Sequence, residues 1–154
     1  MKMEEMRKIR LIVVHCSATK ATWDIGAAVI TKMHRDRGFR ECGYHYVVRL
    51  DGTIECGRNE FEMGAHVKGH NADSIGICYV GGLDENGKPC DTRTVSQKTA
   101  LVKKIKDLKL RYPGTKVVGH RDLSPDKDGD GVVEPEEWLK QCPCFNAKTE
   151  YDKL

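Results

Sequence analysis

The sequence predicts a single α/β domain with a central mixed β-sheet flanked by helices. Short runs rich in Ile and Val alternate along the chain with longer amphipathic stretches, an alternation that is typical of an α/β sheet. Two of the runs flank Asp51-Gly52, a strong signal for a two-residue hairpin. Because a hairpin adds an antiparallel pair, we expect a mixed sheet.

The first half of the chain is predicted to form a strand, a helix and the hairpin. Residues 9–15 form a short apolar run, which favours a buried strand. Helical spacing then relates Ile25, Ala28, Val29 and Met33. We therefore expect a helix over Ile25 to Arg37, ended by Gly38. The hairpin strands are Tyr44 to Leu50 and Thr53 to Cys56.

The second half predicts two more strands and a long helix. Ser74 to Val80 is an apolar strand, and Asp84 to Thr94 is polar enough for an exposed loop. Ser96 to Tyr112 is the clearest amphipathic helix, with many lysines opposite its apolar face. That face contains Leu101, Ile105, Leu108 and nearby Val102. Lys116 to Gly119 is the last strand, and a short helix is expected from Pro135 towards Gln141.

Composition and charge narrow the class of protein. A chain of 154 residues suffices for one domain with its own core. The net charge of +3 is too small to indicate a nucleic-acid partner, and no apolar run approaches the roughly 20 residues of a membrane span. The charged start predicts a tail over residues 1–8, no secretory signal and synthesis in the cytoplasm. The domain is expected over residues 9–154, and the oligomeric state stays open.

Three residues form a ligand set that zinc favours. His15 and His120 each end an apolar run, and Cys142 follows a short acidic-to-amphipathic stretch. Two imidazoles and one thiolate suit zinc, and three protein ligands leave a fourth position for water. An open position distinguishes a catalytic site from a structural one, so the sequence predicts a zinc hydrolase.

The chain resembles the type 2 N-acetylmuramoyl-L-alanine amidase family, which is related to peptidoglycan-recognition proteins. The matching segments run in the family's order from residue 9 to about residue 145. They are Ile12 to Lys20, Gly43 to Tyr46, Asp51 to Glu55 with Gly57-Arg58, Gly64 to Asn71, Ser74 to Cys78 with Gly81-Gly82, Gly119 to Asp122, and Lys140 to Pro143. The resemblance implies an amidase-like fold and cleavage of the amide between the lactyl group of N-acetylmuramic acid and L-alanine in peptidoglycan.

The resemblance also assigns roles to individual residues. His15, His120 and Cys142 match the zinc ligands of the family. Tyr44 matches its catalytic tyrosine, which either orients water or donates a proton to the leaving amine, and Lys140 matches a lysine expected to stabilise the oxyanion. His66 and Asn71 lie in a segment that lines the groove in relatives, so substrate contact is expected of them.

Other histidines and a further cysteine have alternative interpretations. His34, near Lys32 and Arg35, is expected to be solvated, whereas His45 should pack away from the side of Tyr44. Cys144 is either the true thiolate ligand, a fourth ligand that closes the site, or a packed thiol. The family register favours Cys142 as the ligand.

An acidic insertion lies between His120 and Lys140. Residues 126–137 match the EF-hand loop pattern, with Asp126, Asp128, Asp130, Val132 and Glu137 at the ligating positions. A calcium-binding loop is one interpretation. An acidic, Gly-rich turn closed by Asx-type hydrogen bonds without metal is the other.

Three functional hypotheses follow. The first is a zinc-dependent peptidoglycan amidase, such as a phage or prophage endolysin that reaches the wall through a membrane lesion made by a separate protein, or a bacterial wall enzyme. The second is a non-catalytic muropeptide-recognition module with a structural zinc. The third is a calcium-regulated binding protein built around the acidic loop.

Overall fold

The computed structural model describes residues 7–124, 133 and 141–154, and within them five strands form one mixed sheet. The order across the sheet is β4-β3-β5-β1-β7. The strands are β1 (Leu11–Cys16), β3 (Tyr46–Val48), β4 (Ile54–Cys56), β5 (Ser74–Tyr79) and β7 (Lys116–Gly119). The mixed sheet predicted from the sequence is confirmed.

The pairing of the strands explains why the sheet is mixed. β1 lies between β5 and β7 and is parallel to both, and β3 is parallel to β5. β3 and β4 are antiparallel and form the predicted hairpin around Gly52, whose φ of 88° suits glycine. A second small sheet, not predicted, joins β2 (Thr19–Lys20) to β6 (Gly82–Leu83).

Helices cover both faces of the sheet. On one face, α2 (Val95–Arg111) and α3 (Ala147–Glu150) pack on alternate residues of β1, β5 and β7. On the other face, α1 (Ala27–Asp36) packs on β3 and β5. Because side chains alternate along a strand, Ile12 and Val14 face α2 whereas Val13 and His15 face the other side. This alternation places His15 on the opposite face from the main core.

The start of α2 is determined by polar side chains. The Thr94 hydroxyl oxygen accepts a hydrogen bond from the backbone amide of Gln97, and the Gln97 side-chain oxygen accepts one from the backbone amide of Thr94. The side-chain NH2 group of Gln97 also donates hydrogen bonds to the carbonyls of Val48 and Val80, at 3.3 and 2.9 Å. A buried polar residue thus connects α2 to the sheet. The predicted α2 face of Leu101, Ile105 and Leu108 is confirmed, since all three are buried.

The predicted helix forms as α1, but the residues that helical spacing related in the sequence do not form its buried face. Val29 and Met33 are exposed, whereas Ile30 and His34 are buried with Ala27. The pair Val29 and Met33 and the pair Ile30 and His34 both have helical spacing. Packing against β3 and β5 buries the pair that contains His34.

Two 3-10 turns, Asn71–Asp73 and His120–Leu123, border the sheet. Among the described residues, no helix combines the length and the apolar character needed to cross a bilayer. The predicted helix from Pro135 to Gln141 lies outside the described residues, apart from Gln141 itself.

Candidate metal centre and groove

His15 and His120 meet because neighbouring parallel strands end at the same edge of the sheet. β1 and β7 pair in register from Leu11 with Lys116 to Val14 with Gly119. Continuing that register by one residue sets His15 opposite His120, and the centroids of the two rings are 4.7 Å apart. His15 is 1% exposed, so its imidazole is withdrawn from bulk water.

Cys142 reaches the same place from the C-terminal segment. The amide of Cys16, the residue after His15, donates a hydrogen bond to the Cys142 Sγ at 3.1 Å. The amide of Arg121, the residue after His120, donates to the Cys142 carbonyl at 2.8 Å. Gly119 permits this approach, because a Cβ there would lie 2.6 Å from the Pro143 ring. The backbone around both histidines therefore holds the cysteine.

The three side chains could hold one metal ion. One nitrogen of His15, one of His120 and the Sγ of Cys142 all lie within 4.8 Å of one another. Tetrahedral ligand atoms at zinc distances are separated by roughly 3.3–3.8 Å, so small side-chain rotations would suffice for binding. The predicted ligands are thus brought together, and the donor set fits zinc.

Cys144 does not belong to this group. Its Sγ lies 3.4 Å from the carbonyl of Gly82 and 3.9 Å from the Cys16 Sγ. The hydrogen bond with the Cys16 thiol, together with burial, raises the pKa of Cys144 above its usual range. This geometry favours the interpretation of Cys144 as a packed thiol. All seven cysteines are free.

Tyr44 lies beside the metal group. Its ring centroid is 4.9 Å from that of His15, and its side chain lines the groove. Burial raises the pKa of the phenol well above its ordinary value, and the neighbouring thiols of Cys78 and Cys142 act in the same direction.

His66 and Asn71 line the groove and are also bonded to the protein itself. His66 Nδ1 lies 2.8 Å from His15 Nε2, and its Nε2 lies 3.1 Å from the Ser74 hydroxyl. The Asn71 Oδ1 accepts hydrogen bonds from the amides of His66 and Val67, both at 2.9 Å. Burial lowers the pKa of His66 well below its ordinary value.

The prediction that His34 is solvated is wrong. It is 7% exposed, its Nδ1 accepts a hydrogen bond from the Gly43 amide at 2.9 Å, and its ring lies 5.3 Å from that of Tyr44. Its position four residues after Ile30 was the signal in the sequence, because the two share one face of α1. His34 thereby supports the segment that carries Tyr44.

His45 is buried, as predicted for a packing side chain. Its Nδ1 accepts from the Gly76 amide at 3.0 Å, and its Nε2 lies 2.8 Å from the Glu62 carbonyl. Burial lowers the pKa of His45 to about 4.

The groove beside these residues has a volume of about 560 Å³. Among the described residues that line it there is no Asp or Glu, whereas Arg37 and Lys68 contribute positive charge. Phe39 adds an apolar surface, and the Arg37 guanidinium lies 5.6 Å from its ring centroid. Such a groove is suited to a ligand that carries carboxylates and has some apolar surface.

Two predicted sites lie outside the described residues. Lys140, the expected oxyanion-stabilising lysine, is one of them. The other is the calcium-loop pattern, with Asp126, Asp128, Asp130, Val132 and Glu137. Both stay predictions from the sequence.

Comparison with known proteins identifies the family. The sequence profile of the N-acetylmuramoyl-L-alanine amidase family matches residues 5–137. The endolysin of Klebsiella phage KP32 is 40% identical over 142 residues, which cover 92% of this chain and 85% of the endolysin. The profile match ends before Cys142, so the third ligand rests on the geometry of the metal group.

Solved structures share the fold. The N-acetylmuramoyl-L-alanine amidase LysC from Clostridium intestinale matches with a TM-score of 0.71 and 28% identity, covering 97% of this chain and 85% of LysC. The complex of the peptidoglycan recognition proteins LCa and LCx with tracheal cytotoxin matches with a TM-score of 0.68 and 23% identity, covering 96% and 82%. The profile match over residues 5–137 and the 40% identity to the phage endolysin show the family. The chain belongs to the N-acetylmuramoyl-L-alanine amidase family.

Proposed function

We propose that this chain is a zinc-dependent hydrolase that cleaves the amide between the lactyl group of N-acetylmuramic acid and L-alanine in peptidoglycan. Family membership and the endolysin relatives support a peptidoglycan amidase. One observation supports a bound metal ion: the candidate ligand atoms of His15, His120 and Cys142 lie within 4.8 Å of one another beside the groove.

The chemistry of the donors supports a catalytic zinc. Two imidazoles and a thiolate leave room for water or substrate, unlike the closed four-ligand sets of structural sites. When bound, zinc would supply Lewis-acid chemistry, polarising the scissile carbonyl and lowering the pKa of a water molecule. The protein stabilises the Cys142 thiolate through the hydrogen bond from the Cys16 amide at 3.1 Å.

Tyr44 is proposed to act as a hydrogen-bond or proton donor. Its hydroxyl stays protonated at neutral pH, since the pKa of an ordinary phenol is about 10 and burial raises that of Tyr44. A protonated phenol can donate to an oxyanion or to a leaving amine, but it cannot serve as a base.

Lys140 is proposed to stabilise the oxyanion that forms when the carbonyl is attacked. Its match to the family's lysine two residues before the cysteine ligand supports this role. Removing one such group typically costs roughly 2.7–4 kcal/mol of transition-state stabilisation, or about a hundred- to a thousand-fold in rate.

The groove supports a peptidoglycan stem peptide as the ligand. Stem peptides carry carboxylates, and the described groove lining contains Arg37 and Lys68 without an acidic residue. A protein of the same fold has been solved with tracheal cytotoxin bound. The endolysin relatives support action on the cell wall, and passage to the wall through a lesion made by a separate protein stays a prediction.

The test is release of free stem peptide from purified peptidoglycan. Wild type, Cys142→Ser and Cys144→Ser are compared with and without a zinc chelator, and the new L-alanine amine is identified by end-group labelling. We expect release by wild type and by Cys144→Ser, because the Cys144 thiol points to the Gly82 carbonyl. Release should be lost with chelator and in Cys142→Ser.

Other outcomes assign a different function. If wild type binds muropeptide but releases no peptide, the chain is a recognition module and the amidase proposal fails. If release is unaffected by chelator and by Cys142→Ser, the zinc assignment fails while the amidase activity stands.

A further inference from the structure

Three buried polar side chains lie in line behind the metal group. His15 Nε2 is 2.8 Å from His66 Nδ1, and His66 Nε2 is 3.1 Å from the Ser74 Oγ. The three residues are 1%, 7% and 0% exposed, respectively. The line therefore starts at a metal-ligand candidate and runs into the sheet.

Once His15 binds a metal, the donor and the acceptor of each hydrogen bond along this line are determined. Because Nε2 of His15 is directed at His66, His15 would bind a metal through its other ring nitrogen, Nδ1. A neutral imidazole that offers the lone pair of one nitrogen carries its proton on the other, so His15 Nε2 donates and His66 Nδ1 accepts. The proton of His66 then lies on Nε2, which donates to the Ser74 hydroxyl. Each bond has one donor and one acceptor.

The His66 ring is packed closely against the backbone at two glycines. A Cβ at Gly76 would lie 2.7 Å from the Cγ of His66, and one at Gly64 would lie 2.7 Å from its Cδ2. The backbone of His66 is fixed by Asn71, whose Oδ1 accepts the amide hydrogens of residues 66 and 67. Two glycines provide the space for this ring, and Asn71 fixes the loop that carries it.

We propose that His66 is a positioning residue that orients His15 for metal binding, with the Ser74 hydroxyl accepting from His66 Nε2 and so holding the ring. Partners of this kind on a metal-binding histidine fix the orientation of its ring and raise its basicity, and their loss typically weakens metal affinity about 10–100-fold. The inference rests on the proposed zinc site. It gives His66 a role towards the metal rather than in substrate contact.

The test measures zinc affinity and cobalt spectra on the full chain. Apparent zinc Kd is obtained by competition of the apoprotein with a chromophoric chelator at fixed pH, and the visible absorption of the cobalt-substituted protein reports ligand geometry. His66→Phe removes the acceptor and should weaken zinc binding about 10–100-fold and shift the cobalt bands. His66→Gln retains an acceptor and should recover part of the affinity.

Ser74→Ala keeps the test valid if His66→Phe does not fold, because it deletes only one oxygen. We expect it to weaken zinc affinity in the same direction but less. The matched control is His70→Gln, four residues from His66 on the same segment and outside the groove lining. It should leave both the Kd and the cobalt spectrum unchanged.

Two results would overturn the inference. Unchanged zinc affinity in both His66→Phe and Ser74→Ala, with a raised KM for peptidoglycan in His66→Phe, would make His66 a substrate contact. X-ray absorption of the zinc protein that counts three imidazoles and one sulfur would make it a direct ligand. If wild type itself binds no zinc, the zinc proposal fails first, and that failure is visible before any variant is compared.

Discussion

The buried carboxylate of Glu60 allows a test of how much a cluster of polar side chains contributes to the stability of the fold. Its carboxylate is buried and accepts hydrogen bonds from the hydroxyls of Tyr46 and Tyr112. The same carboxylate pairs with Arg111 at 2.7 Å. Three side chains from two distant parts of the chain therefore meet at the Glu60 carboxylate.

Glu60→Gln keeps the volume and removes the charge. Hydrogen bonds to a charged group contribute about 1.5–3 kcal/mol, against about 1 kcal/mol for neutral ones. The ion pair adds at most about 1 kcal/mol because Arg111 is 43% exposed. In the glutamine side chain, an NH2 group also replaces one acceptor oxygen, and this group faces the hydroxyl and guanidinium donors. We expect a loss of about 2–3 kcal/mol, which lowers the Tm by roughly 4–12 °C for a domain of this size.

The loss of stability in Glu60→Gln depends on pH. Burial raises the pKa of Glu60, but the hydrogen bonds from the two tyrosines and the pairing with Arg111 outweigh it, so the pKa in the folded protein lies below that of the unfolded chain. The stabilisation is therefore fully present above the unfolded pKa and disappears as the pH falls through the folded one. The difference between wild type and Glu60→Gln should shrink at acid pH.

The assay is urea denaturation of wild type, Glu60→Gln and the exposed control Glu62→Gln at neutral pH and at several acid values. The control should stay within about 0.5 kcal/mol of wild type. A loss of stability below about 0.5 kcal/mol for Glu60→Gln, or a loss of the same size at all pH values, would refute the argument.

Three further predictions concern other buried contacts. Arg93→Met should lower stability by about 3 kcal/mol in urea denaturation, because the guanidinium is buried and pairs with Glu150 at 2.6 Å; an unchanged midpoint would contradict this. Gln97→Ala should cost about 1–3 kcal/mol by the same assay, since buried carbonyls lose their donor. Gly76→Ala should weaken zinc affinity through displacement of the His66 ring, measured by chelator competition; affinity equal to wild type would show that the ring can move freely.

The mixed sheet and the candidate ligand set could be predicted because their signals are local. His15 and His120 each end an apolar run, and parallel strands deliver such residues to one edge. The side of α1 that packs inward could not be predicted, because the stripe of Val29 and Met33 and that of Ile30 and His34 both have helical spacing. The bond from the Gly43 amide to His34 belongs to tertiary packing.

The sequence by itself determined the order of the elements, the hairpin and the donor set of two histidines and a cysteine, since these depend on the periodicity and type of neighbouring residues. The family register favoured Cys142 over Cys144, and only the tertiary structure decided that the Cys144 thiol lies against Gly82 and Cys16 and that His66 bonds to His15. The physical reason is separation along the chain. Contacts between residues 15 and 66, or 16 and 142, arise from strand register and from the packing of distant segments, which no local pattern encodes.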